Sequence, residues 1–385
     1  MDFQKMRKRR RRKIHMRRMA ILAIIIIAIF AVMSLNNMLV HWQFPTLVSN
    51  FFQGFGGPAF PIRVPTGAMR DVRPLGGDIA ILTDANLHVF NRNGRQLLSI
   101  HRVNESTIML ANGNRMLTYT IGSPDFSIHF RNRLVHDGHH GDPIRTAALG
   151  ERGNYAIVSS TWRFTSQVTV FDDDFDQKIE WNTSEWVAMV ALSPRGNQMS
   201  AAVIDAQGGQ LRSTVLLFNL EEEGQPTQLE FIDEFILGLE YLSDTHIAAI
   251  TDRGLRIISA GDGRLLSSYD IRAGQIAMSR MGGGYILLLN ENPEYRTQTV
   301  ILFNARGDEL GRTGPQNLVR DMQVGSAGVY ILTIQGVARY DHTMQRTGET
   351  EQSGVMRILL TAHNLYYFTD EEINVMRIDA AQTDD

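Results

Sequence analysis

The chain has 385 residues, 43% hydrophobic and 21% charged, with a formal net charge of −3 and no cysteine. That length supports a large core, which must hold without disulfides. Residues 1–18 carry ten of the 38 basic residues and one of the 41 acidic ones, so the remainder has 28 basic and 40 acidic residues, a balance of −12. An acidic body of this kind argues against nucleic acid as a partner, because phosphate binding needs a basic surface.

Residues 1–18 read as a basic cytoplasmic tail, with Lys or Arg at eight of the nine positions 5–13. Residues 19–40 follow as an apolar stretch with no Asp, Glu, Lys or Arg. A bilayer span needs about 20 such residues, and positive flanks stay inside, so a transmembrane helix with everything after it outside is predicted. No A-x-A-like cleavage site follows, which favours an uncleaved anchor over a signal peptide. The lipid bilayer is thus the first expected partner, through residues 19–40. Residues 41–59 form an aromatic linker with Phe44, Leu47, Val48, Phe51, Phe52 and Phe55 at helical spacing. It is expected either to lie in the headgroup layer or to pack on the next domain.

Residues 60–380 carry a repeat, and residues 381–385 end the chain in an acidic tail. Eight apolar runs end on a large residue before a polar turn: Phe90, Phe130, Phe171, Phe218, Ile258, Phe303, Tyr340 and Met376, at steps of 36 to 47 residues. Four of these are followed directly by Asn91, Asp172, Asn219 and Asn304, and Tyr340 by Asp341. Short strands repeating every 40 residues or so mark a β-propeller. The fold expected is all-β and eight-bladed, with four strands per unit. The continuous apolar runs of six second strands, such as Ile79–Leu82 and Tyr155–Val158, suit strands covered on both faces. The last unit lacks a fourth strand, and the spare segment 60–64 is expected to supply it and close the ring. Seven blades follow if the second unit, 109–136, is degenerate.

The fifth unit, around Ile257, Gly261, Asp262 and Gly263, resembles the blade ends of quinoprotein-type propellers. Ser267 stands where that family's docking Trp would be, and only Trp181 occupies such a place. The resemblance therefore implies the fold and not quinone binding. The whole layout is similar to an uncharacterised family of single-pass, membrane-anchored propellers from Gram-positive anaerobes, which implies an envelope location and assigns no catalytic residue.

Loops between second and third strands, and those between blades, share one face, where propellers usually take ligands. The longest second-to-third connections, 159–166, 205–212 and 290–298, bring Trp162, Arg163, Phe164, Arg212, Glu294, Tyr295 and Arg296 to that face. Exposed Trp, Tyr and Arg anchor interfaces, so a binding or scaffolding module for a protein or cell-wall component is expected. The alternative is a propeller-type enzyme: a glycoside hydrolase, lyase or quinoprotein. No G-x-S-x-G, H-E-x-x-H or phosphate loop occurs, and no cofactor is called for. His136, His139 and His140, read as an inter-blade loop, are weak metal candidates without a zinc spacing. Asp172, Asp173, Asp174 and Asp176 start like a calcium loop, but Gln177 and Thr183 occupy the places that need Gly and Glu.

Overall fold

The computed structural model describes residues 57–378, apart from 102–103, 223, 273–274, 293, 295 and 317, and the backbone alone at Gln207. The tail, the proposed span, most of the linker and the acidic end lie outside the described residues. Among those described, no helix is long and apolar enough to cross a membrane.

The 32 described strands form eight four-stranded antiparallel sheets. Seven are consecutive in sequence: 69–101, 107–139, 144–183, 186–232, 236–270, 276–312 and 319–350. The eighth takes three strands from 357–377, and its outer strand is Ile62–Arg63. Ile62 pairs with Ile373 and Arg63 with Glu372, and the Val64 amide donates to the Glu371 carbonyl at 2.9 Å. The expected closing segment is therefore in place. The second unit is a complete blade, which settles the count at eight.

The core is not one mass but eight wedges, each between neighbouring blades. One joins blades 3 and 4 through Val158, Val170, Val190 and Met199; another joins blades 8 and 1 through Ile62, Ile79, Ile81 and Tyr366. A second strand therefore meets a wedge on each face, and Asp78–Thr83 is buried at every position. Trp181 packs against Phe218 of the next blade at 4.9 Å between ring centroids, the docking expected of it.

The Asn or Asp after the anchor caps the turn between third and fourth strands. Asn91 Oδ1 accepts the amides of Asn93 and Arg95 at 2.9 and 2.8 Å. Asp172, Asn304 and Asp341 do the same for the residues two and four ahead, at 2.8 to 3.0 Å. A short side-chain acceptor that satisfies two turn amides is the reason for Asn and Asp here. It also accounts for the carboxylates at 172–176: Asp172 holds its own turn and pairs with Lys178 at 2.8 Å. In blade 2 the equivalent residue is Arg131, which instead forms an ion pair with buried Asp78 of blade 1.

Antiparallel order puts these turns, and those between first and second strands, on one face, here called lower. The other connections make the upper face. The chain enters from below, where the Ala59 amide donates to Asn93 of a lower turn at 3.1 Å.

Candidate functional site

Six of the eight inner strands slip register by one residue near their upper end, between Met69 and Asp71, Ile144 and Thr146, Val187 and Met189, Ile236 and Gly238, Ile276 and Met278, and Val319 and Asp321. A bulge of this kind leaves one residue unpaired and re-aims its side chain. Arg70, Arg145, Leu237 and Arg320 are among the residues so displaced, at the upper rim of the ring.

Arg145 shows what the bulge does. Its guanidinium lies 4.0 Å from the ring centre of Trp186, which begins the next blade. Its Nη2 donates to Ser166 Oγ at 2.6 Å, and Ser166 donates to the Glu185 carbonyl at 2.7 Å and accepts the Val187 amide at 3.0 Å. Burial pulls the guanidinium pKa down. Trp186, held from beneath, is still 51% exposed. It lines a cleft of about 580 Å³ with Thr165, Ser184, Glu185, Asp205 and Leu211.

Trp162, in the neighbouring loop, is 94% exposed. Of the fourteen large hydrophobics exposed among the described residues, nine sit on upper-face turns or strand ends: Ile121, Trp162, Trp186, Ile232, Phe235, Leu237, Leu318, Ile334 and Met356. Single exposed apolar residues are ordinary; here most of them lie on one face, spread around the ring.

All the expected face residues that are described lie on this side, though not as one group. Trp162, Arg163 and Phe164 share a turn in which Thr161 Oγ1 accepts the amides of Arg163 and Phe164, and Arg163 rests 5.6 Å from the Phe164 ring centre. Arg212 is not free: it pairs with Asp205 at 3.1 Å and Glu230 at 3.6 Å. Residues 205–212 are not a loop. The ladder continues from Asp205 and Arg212 to Gln207 and Gln210, because Gly208 and Gly209, at φ +63° and +87°, allow a two-residue turn. Blade 6 likewise extends its hairpin to Asn292 and Thr297. Glu294 and Arg296 sit in its tip, with Glu294 3.9 Å from Arg272, and Tyr295 lies outside the described residues.

The histidines do not converge. His136 and His139 belong to the outer strand Arg133–His139 rather than to an inter-blade loop. Alternation along a strand separates them. His136 stacks on Phe175 at 4.4 Å, His139 Nδ1 lies 2.7 Å from Asp125, and His140 Nε2 lies 3.1 Å from Ser159 Oγ. Among the described residues no three His, Cys, Asp or Glu side chains cluster as metal ligands.

A second cavity, of about 620 Å³, occupies the central channel and opens at the lower mouth, among the first-to-second turns of blades 6, 7 and 8. Asp71 and Asp321 take equivalent positions just after the bulge. Each accepts the next residue's amide at 2.9 Å. Asp71 pairs with Arg73 at 2.8 Å and approaches Arg357 at 3.7 Å; Asp321 accepts the Ile358 amide at 3.1 Å and meets Arg280 at 3.4 Å. Both carboxylates tie adjacent blades together. The sequence reading missed this channel lining and Trp186. The bulge pattern, an apolar residue, one displaced residue, then the next paired one, recurs six times and is the signal that locates both.

These observations define an eight-bladed β-propeller with an apolar loop face and a charged channel. The chain belongs to a family of unknown function, DUF5711, whose pattern matches residues 66–378. No curated protein matches. Among solved structures, the computationally designed protein Ika8 is similar with TM-score 0.61 and 13% identity, over 82% of this chain and 97% of that one. BamB from Moraxella catarrhalis follows with 0.54 and 10%, over 83% and 98%. The WD40 domain of SCAP from fission yeast gives 0.53 and 10%, over 83% and 94%. Identities this low show a common fold and nothing more.

Proposed function

We propose that the chain is a membrane-anchored binding module whose propeller, carried outside the cytoplasmic membrane, docks a protein of the cell envelope on its upper face. The observation that carries this reading is the gathering of exposed apolar side chains there, with Trp162 almost fully in solvent and Trp186 clamped by Arg145. A Trp left in water loses favourable burial, and burying one in a partner's pocket makes a hot spot. The anchor and its orientation rest on the basic run at 5–13 and the apolar stretch at 19–40, and the resemblance to anchored propellers of Gram-positive anaerobes agrees with them. The propeller-enzyme alternative would have to use the channel cavity, where Asp71 and Asp321 are engaged by backbone amides and arginines and Glu240 is left without a described partner.

Native electrophoresis of detergent-solubilised membranes tests the docking. The wild-type chain should migrate as a complex larger than itself. The pair Trp162→Asp and Ile334→Asp should release the free chain, whereas Leu265→Asp, away from the upper face, should not. Identical migration of all three proteins would refute the upper face as the docking surface.

A further inference from the structure

The lower half of the channel gathers ionisable side chains from several inner strands. The position two residues after the bulge partner carries Arg73, Glu240, Arg280 and Gln323 in blades 1, 5, 6 and 7, and all four line the 620 Å³ cavity. Blades 1 and 5 stand opposite in a ring of eight, so Glu240 faces Arg73 across the channel. Arg73 is held by Asp71 through Nε alone, and Arg280 and Arg357 are half-exposed to the same space. Glu240 makes no hydrogen bond or ion pair with any described residue. Its side chain is open to the channel yet ringed by protein, and this desolvation raises its pKa, with the Arg73 guanidinium offsetting part of the rise. The carboxylate is exposed to the channel water and has no described protein partner, so it is available to a ligand.

We propose that this cavity binds a small zwitterion of the amino-acid or short-peptide class, its ammonium group on Glu240 and its carboxylate on the guanidiniums of Arg73 and Arg357. Asp71, Glu151 and Asp321 line the cavity as well, and Asp71 and Asp321 already pair with its three arginines, so Glu240 offers an unpaired carboxylate to an ammonium group while the guanidinium nitrogens not used in those pairs can take a carboxylate. A dipolar molecule satisfies both walls at once. The volume lies within the roughly 300–1,000 Å³ of small-molecule sites, and charge-assisted bonds at both ends give the recognition. The site is separate from the upper face and does not depend on what docks there.

Calorimetry on the full-length chain in detergent tests it, with alanine, L-alanyl-L-alanine and trialanine as probes of length, and with the N-acetyl and C-amide forms of the dipeptide. At least one uncapped probe should bind saturably at millimolar concentration or below, and capping either end of the dipeptide should weaken it by about tenfold or more. Glu240→Gln should weaken the uncapped probe by a similar factor and abolish the effect of N-acetylation. Without ligand, the melting temperature of Glu240→Gln should hold, since an exposed carboxylate without a described protein partner has been replaced. Absence of saturable binding by all three lengths overturns the proposal, as does capped dipeptide binding as tightly as free. A Glu240→Gln chain that melts lower and binds the probe unchanged assigns the residue to the scaffold and also overturns it.

Discussion

Ring closure depends on a strand only two residues long, and Ile62 is its one buried side chain. It is 9% exposed, packs with Ile79, Ile81, Tyr366 and Ile373, and lies so close to Gly94 that a Cβ there would sit 2.8 Å from Ile62 Cγ2. Ile62→Ala removes three carbons. At about 0.8 kcal/mol per buried methylene the transfer loss is about 2.4 kcal/mol, and a residual cavity brings it toward 3. The outer strand can move in to fill part of that space, so about 2–3 kcal/mol is expected. Thermal melting followed by circular dichroism should show a fall in Tm of about 3–4 °C for a domain this large. Leu265→Ala makes the same kind of deletion on another outer strand, at a residue 45% exposed, and should change stability by under about 0.5 kcal/mol. If Ile62→Ala and Leu265→Ala melt together, segment 60–64 does not close the ring.

Other consequences concern buried polar groups and the apolar face. Burial pushes the His129 pKa down to about 4 and lowers those of His88 and His140. Because the folded value lies below the unfolded one, stability should be full above pH 6.5 and fall as pH drops toward 4, with His129 accounting for about 3 kcal/mol. His129→Phe should flatten that part of a denaturation-versus-pH curve, and an unchanged slope would contradict the buried neutral imidazole. Arg131→Met leaves Asp78, 2% exposed, without its cation and should cost about 3–5 kcal/mol in chemical denaturation. Adding Asp78→Leu should recover most of the loss; no recovery would mean that the pair does not act as a unit. Trp162→Ala should leave the melting curve within about 0.5 kcal/mol of wild type, because the side chain touches little, while the native complex dissociates.

The repeat was legible in sequence because its signals are local. Each Phe-Asn or Phe-Asp step states where a strand ends and a turn begins, and the apolar second strands state that both faces are covered. The closing strand could be read from a deficit, three strands in the last unit and a spare segment at the start. The site was less legible because it is assembled by register. One slipped residue decides that Arg145 lies beneath Trp186, and two further residues decide that Glu240 looks across at Arg73. Neither pair is near in sequence. The reading of 205–212 as a loop failed for a related reason: Gly208 and Gly209 mark a turn, but they also permit two residues to do the work of eight, so the ladder runs on. His136, His139 and His140 looked like a cluster in one dimension, and the alternation of the strand directs them apart.

Photo-crosslinking in the producing cell tests the docking face most directly, with a diazirine amino acid placed at position 162 or, as the control, at position 262 in a lower-face turn. The account predicts a discrete adduct to one envelope protein from position 162 and none from position 262. The same adducts from both positions, or none from 162, would contradict it.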